Sequence, residues 1–162
     1  MQKRLSSEDP ERGINTEELE NVLQNIHPGN FSGYLAQEGV TEPEAFPFGD
    51  YFKSLVGEKG LQMKDIFIWA DIPERYGYKL LSGEKHTQQR DIILRLCYAA
   101  KLSPDEVQRA LKLYGMSPLY ARFPRDAMLM IVFRDRPGNI LDVNTLLRKN
   151  NLEVLKSCGV QE

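Results

Sequence analysis

Cysteine and histidine are scarce in this sequence, with two of each: Cys97 and Cys158, His27 and His86. Two cysteines so far apart predict neither a disulfide framework nor a metal cluster. Cys97 lies in an apolar helical run, where a small core residue is expected. With only two isolated histidines, the sequence does not indicate a catalytic triad. Such cysteine usage is typical of a reducing, cytosolic compartment, which we expect here.

Recognisable catalytic patterns are also missing. The sequence contains no glycine-rich phosphate loop, no nucleophile elbow and no metal-ligand spacing. Its apolar runs fall well short of the roughly 18 residues that a membrane span needs. An enzyme is therefore the least favoured class of protein, and we expect no catalytic residue, no metal, no cofactor and no membrane association.

Charge is nearly balanced overall but unevenly distributed. The net charge is −2; residues 1–47 carry nine acids and three bases, and residues 48–162 carry fourteen acids and eighteen bases. A nearly neutral net charge argues against strong general affinity for nucleic acid. The contrast between acidic residues 1–47 and mildly basic residues 48–162 is nevertheless a clue to binding partners. We expect four arginines of the C-terminal part on a solvated surface, although they could also bind an acidic partner. These are Arg122, Arg125, Arg134 and Arg136.

Apolar residues recur at the three- and four-residue intervals typical of helices, and no period-two strand or hairpin is evident. Asn15 and Glu18 predict a capping box for a helix over residues 16–26. Its apolar stripe consists of Leu19, Val22, Leu23 and Ile26. Such a stripe must be buried, and we expect it to pack among the C-terminal helices.

Helix signals strengthen after residue 47, and they predict an all-α fold. The predicted helices are one beginning at Phe48, residues 63–70, residues 74–81, one capped by Thr87, one from a Ser103 capping box to Gly115, residues 125–133, and one capped by Asn139. We expect four of the aromatic residues in the core. These are Phe48, Tyr51, Phe52 and Trp69.

The stretch "FKSLVGEKGLQMKDIFIWADIPERYGYKLLSGEKHTQQRDIILRLCYAAKLS" resembles the Xre, or lambda-repressor-like, helix-turn-helix family. The resemblance is carried by "EKGL" after the first helix, "SGEK" after the candidate recognition helix, and "LRLCYAAKLS". With "YGMSPLYARFPRDA" and "LDVNTLLRKN", nearly the whole chain is similar to a helix-turn-helix type of Gram-positive bacteria. The resemblance implies a five-helix domain over residues 48–115. An acidic helical extension, 1–47, would precede it, and a helical extension packed on the core, 116–162, would follow.

Several positions depart from that family. Met63 stands where a glutamine often touches a phosphate, and Asp71 stands where a left-handed glycine is usual. The family usually has alanine at the position of Phe67 and isoleucine or valine at the position of Gly77. Here the large residue is at the first position and the small one at the second, so the total side-chain volume is roughly conserved. Because cores tolerate volume-conserving exchanges best, we predict that Phe67 lies over Gly77.

The resemblance also implies a site. The second helix of the motif would enter the major groove, with its N-terminal residues near base edges. Those residues are Glu74, Arg75, Tyr78 and Lys79. Residues meeting phosphates would be Lys85, His86, Gln89 and Arg90. The surplus over residues 74–90 is only two positive charges, which is little for phosphate binding.

Two functions follow from this resemblance. The first is a DNA-binding transcriptional regulator whose partner is double-stranded DNA. The alternative is a non-catalytic adaptor that keeps the fold, does not read DNA and binds a protein partner. A homodimer is compatible with both.

Overall fold

A computed structural model describes residues 15–35 and 46–159 of the chain. Contacts divide the chain into two compact units, Met1–Ala45 and Phe46–Glu162. Every regular element among the described residues is helical, which confirms the all-α prediction for that part of the chain.

The first unit contains α1 (Thr16–Asn25), one 3₁₀ turn (Pro28–Asn30) and α2 (Phe31–Leu35). Asn15 Oδ1 accepts a hydrogen bond from Glu17 N at 3.1 Å, so the predicted cap is confirmed. The reciprocal bond expected from Glu18 is not formed among the described residues. The prediction that the apolar stripe of α1 packs among the C-terminal helices stays a prediction.

The second unit has one central helix, α6. Its helices are α3 (Pro47–Glu58), α4 (Met63–Ala70), α5 (Glu74–Ser82), α6 (Arg90–Ala99), α7 (Pro104–Tyr114), α8 (Pro124–Asp135) and α9 (Ile140–Lys149). Helix α6 contacts α4, α7 and α9, while α3 packs on α5 and α7, and α8 on α7 and α9. Every residue of α6 after the first is buried. Helices α8 and α9, in the segment predicted as a C-terminal extension, thus help to enclose α6.

Local capping signals explain several helix ends. Ser103 N donates to Glu106 Oε1 at 2.9 Å, and Glu106 N donates to Ser103 Oγ at 3.2 Å. This capping box starts α7, and Gly115 ends it in the left-handed conformation with φ 85°. The predicted cap at Asn139 is also confirmed, because its side chain accepts from Asp142 N at 3.0 Å.

The prediction that Thr87 caps α6 is wrong. Helix α6 begins at Arg90, and Thr87 is buried in the preceding connection. Thr87 N donates to Tyr114 Oη at 2.8 Å, and Thr87 Oγ1 accepts from Gln89 N at 3.0 Å. Burial raises the pKa of the Tyr114 phenol, and the bond from Thr87 acts in the opposite direction. Thr87 therefore orders the connection after α5 and does not start the helix.

The prediction of a solvated surface is wrong for Arg125 and Arg136. Arg125 donates to the two carboxylate oxygens of Asp91 at 3.0 and 2.9 Å. Arg136 donates to the carbonyl of Leu102 at 3.2 Å, and its guanidinium lies 4.6 Å from the centroid of the Tyr98 ring. Arg125 thus joins α8 to α6, and Arg136 joins the end of α8 to the segment that follows α6.

Arg95 joins α4 to the segment after α9. Its side chain is only 5% exposed, and burial lowers its pKa. The guanidinium donates to three backbone carbonyls, those of Ala70 at 3.2 Å, Leu155 at 2.6 Å and Lys156 at 2.7 Å. Because no sequence neighbour supplies these acceptors, the bonds fix the C-terminal segment beside the end of α4.

Candidate nucleic-acid interface

A turn of three residues, 71–73, connects α4 to α5. Asp71 takes the left-handed conformation, with φ 55° and ψ 51°, as predicted. The turn is closed by bonds from Asp71 N to Ile68 O at 3.1 Å and from Ile72 N to Phe67 O at 3.0 Å. Ile72 is 4% exposed and anchors the turn in the core. The start of α5 is thereby fixed relative to α4.

Phe67 and Gly77 meet where α4 and α5 pack, which confirms the predicted pairing. A Cβ added at Gly77 would lie 2.4 Å from Phe67 Cε1, far closer than real Cβ contacts. The Phe67 ring is 1% exposed and packs edge-to-face with Tyr78 at a centroid distance of 5.0 Å. The glycine inside α5 is thus required by the close approach of an aromatic ring.

The first turns of α5 carry the side chains that the sequence assigned to base reading. Glu74, Arg75 and Tyr78 are exposed, and Lys79 is partly buried. Positions 74, 75, 78 and 79 lie on one side of a helix, because residues three and four apart are neighbours. Lys79 Nζ lies 3.8 Å from Glu84 Oε1, so part of its charge is balanced by a nearby acid.

Three of the four residues assigned to phosphate contact lie on the connection between α5 and α6. Lys85, His86 and Gln89 are all exposed. Lys85 N donates to Lys79 O at 3.1 Å, which brings this connection back to the end of α5. The His86 ring stacks on Tyr114 at a centroid distance of 4.5 Å. The connection thus extends the exposed polar surface of α5.

Arg90 does not share this exposed surface. Its guanidinium forms a two-pronged ion pair with Asp126, which is 2% exposed, and it donates to Ser117 O at 3.3 Å. An arginine held by a buried carboxylate has little charge left for a phosphate. Without it, residues 74–89 carry three bases and two acids.

The prediction that Trp69 lies in the core is wrong. Trp69 is 46% exposed, and its neighbour Ile68 is 67% exposed. The buried residues of α4 are Ile66, Phe67 and Ala70. With Met63, these positions follow the i, i+3, i+4, i+7 pattern of one helix face, and that pattern leaves Ile68 and Trp69 outside it. A strict helical wheel would have found this exposed apolar pair.

Residues 15–35 and 46–159 contain no cluster of three or more histidine, cysteine, aspartate or glutamate side chains suited to a metal ion. None of their helices is long and apolar enough to cross a membrane. The chain matches no family model, and no curated protein or solved structure is significantly similar to it.

Proposed function

We propose that the chain is a DNA-binding transcriptional regulator of the Xre-like helix-turn-helix type. In this proposal α3 to α7 form a lambda-repressor-like five-helix core, and α4 and α5 form the helix-turn-helix. Helix α5 lies in the major groove, with Arg75 donating to guanine O6 and N7 and Glu74 accepting from a cytosine amino group. Tyr78 and Lys79 lie beside them, and Lys85, His86 and Gln89 face the backbone.

The observation that carries the proposal is the arrangement of α4, its turn and α5. Two short helices are joined by three residues, the second is held tightly to the first at Gly77, and its opposite side carries exposed polar residues. A rigidly positioned short helix with exposed donors and acceptors at its N-terminal end is what major-groove reading requires. The exposed connection holding Lys85 and His86 follows directly and would reach a phosphate strand.

Binding to random duplex DNA at two salt concentrations tests the proposal. We expect measurable binding at about 50 mM salt that weakens by 200 mM, because each phosphate contact contributes a slope of about −0.9 in log affinity against log salt. Since Lys85 and His86 are the basic side chains that the proposal assigns to the backbone, the slope should be shallow, about −1 to −2. Absence of binding at 50 mM would contradict the proposal.

A second candidate function is a protein-interaction adaptor. Exposed apolar side chains favour it: Ile68 is 67% exposed, and Trp69 and Tyr78 are each 46% exposed on α4 and α5. Large aromatic residues are enriched at protein interfaces, whereas DNA interfaces are dominated by cations. The single surplus charge over residues 74–89 points the same way. If the chain does not bind random duplex DNA at about 50 mM salt, this candidate is favoured.

Arg75 and Lys85 should differ in the kind of binding energy they contribute. We expect Arg75→Ala to reduce discrimination at one base pair by about 1–3 kcal/mol, because a bidentate guanine contact is lost. Lys85→Ala should weaken binding to all sequences about equally and make the salt slope shallower by about 1. Affinities for a selected site and its single-base variants, measured at several salt concentrations, separate these effects.

The control for this experiment is Lys149→Ala, which removes an exposed lysine at the end of α9. Helix α9 packs on α6 and α8 and is not part of the proposed interface. The Lys149→Ala variant should therefore bind DNA with the affinity of the original chain. Equal losses on every sequence from both Arg75→Ala and Lys85→Ala would remove Arg75 from the base-reading role.

A further inference from the structure

A cavity of about 300 Å³ opens between the end of α4, the end of α6 and the connection from α8 to α9. Its walls include Trp69, Tyr98, Lys101, Arg136 and Ile140. Ligand pockets span about 300–1,000 Å³, are mostly apolar and contain a few polar groups that orient the ligand. This cavity is at the small end of that range, and its position does not involve residues 74–89.

Trp69 forms an exposed aromatic wall of the cavity. Its indole is 46% exposed, so it does not serve as a core residue. Lys101 Nζ lies 5.9 Å from the centroid of its ring. An aromatic ligand stacking on this indole would remove apolar surface of both partners from water, which is favourable.

The charged residues lining the cavity are Lys101 and Arg136, and both are cations. The hydrogen bonds of the Arg136 guanidinium go to two neutral backbone carbonyls. Among the described residues neither cation forms an ion pair. Asp142, an acid on α9, accepts from Asn139 N at 2.9 Å and caps that helix. The two cations are therefore not neutralised by an ion pair, while the Asp142 carboxylate lies beside Gly138, another lining residue.

The backbone at Lys101 gives a second reason to assign the lysine a role. Lys101 has φ 60° and Arg136 has φ 50°, the left-handed region that favours glycine after a helix. The carbonyls bound by Arg136 account for an arginine at that position. Among the described residues, the Lys101 side chain makes no hydrogen bond, and its one aromatic contact is with Trp69. Glycine is the usual residue at such a position, and the contact with Trp69 is the one interaction of the lysine side chain among the described residues.

We propose that this cavity binds a small aromatic carboxylate. The ring lies against Trp69 and Ile140, and the carboxylate accepts hydrogen bonds from Lys101 and Arg136. A single ring with a short acidic side chain matches the cavity volume and its division into one apolar wall and one cationic edge. This ligand site is independent of whether the chain binds DNA.

Trp69 is the single tryptophan of the chain, so intrinsic fluorescence reports on this cavity directly. The full chain is titrated with benzoate, phenylacetate and 3-phenylpropionate, and with the corresponding amides. We expect a saturable fluorescence change with at least one acid and an affinity for its amide that is about tenfold weaker, because the charge-assisted hydrogen bonds are lost. Thermal unfolding with and without the acid gives an independent readout.

The matched variants are Lys101→Gln and Lys112→Gln, both at exposed positions. We expect Lys101→Gln to weaken binding of the acid about tenfold and Lys112→Gln, outside the cavity, to leave it unchanged. Two results would overturn the proposal. One is no saturable response to any of the three acids up to about 10 mM, above the millimolar affinity expected of so small a ligand. The other is equal affinity for an acid and its amide.

Discussion

We expect Gly77→Ile to lower the free energy of unfolding by about 1–3 kcal/mol. The added Cβ would lie 2.4 Å from Phe67 Cε1, and Phe67 is 1% exposed, so its ring has no open space to enter. Overpacking of this kind forces side chains out of their rotamers or shifts the backbone. Urea denaturation followed by circular dichroism measures the loss.

The pairing itself is tested by a double-mutant cycle. Phe67→Ala alone should cost about 3–5 kcal/mol, because it leaves a cavity in the core. Isoleucine at position 77 then fills part of that cavity, so the double variant should be more stable than the sum of the singles by about 0.5–3 kcal/mol. Gly57→Ile is the control, since a Cβ there meets nothing within 4 Å, and it should not destabilise α3. Additive losses from the two core variants would contradict the pairing.

The helix boundaries were largely predictable because their signals are local. Helix α4 has the predicted bounds, residues 63–70, and α7 begins at the predicted Ser103 box and ends at Gly115. Such signals act through hydrogen bonds between residues three or four apart, which a sequence displays directly. Thr87 is not the cap because α6 begins three residues later, at Arg90, and the bond from the Thr87 backbone to the distant hydroxyl of Tyr114 could not be predicted from local sequence.

The candidate site was predictable as far as surface exposure is concerned. The resemblance assigned Glu74, Arg75 and Tyr78 to an exposed face of α5, and all three lie outside the core. It could not show that Arg90 pairs with Asp126, 36 residues further along the chain, because a basic side chain at a helix start looks the same with or without a distant partner. The fold positions these side chains but does not determine their ligand, which depends on the chemistry of the site.

Arg95→Met should lower the free energy of unfolding by about 2–4 kcal/mol. Methionine keeps an unbranched apolar side chain that is shorter than arginine and has no donor, so the carbonyls of Ala70, Leu155 and Lys156 lose their hydrogen bonds. Each unpaired buried carbonyl costs about 1–3 kcal/mol. The total for the three carbonyls is lower than three times that cost, because water can reach the more exposed of them. Arg148→Met, at an exposed position on α9, should change stability by less than about 0.5 kcal/mol.

Ending the chain after Asn150 shows what these bonds hold in place. The truncation removes Leu155, which is 3% exposed, and two of the three carbonyls bound by Arg95, so it should itself destabilise the protein. In the truncated chain, Arg95→Met should cost about 1 kcal/mol, the low end of the range for one unpaired carbonyl, because only the bond to Ala70 remains to be lost and removal of the segment lets water reach that carbonyl. Ala70 ends α4 and directly precedes the turn into α5, so the same coupling would show that Arg95 links the C-terminal segment to the end of α4. An equal cost of Arg95→Met in both chains would show that Arg95 does not act through that segment.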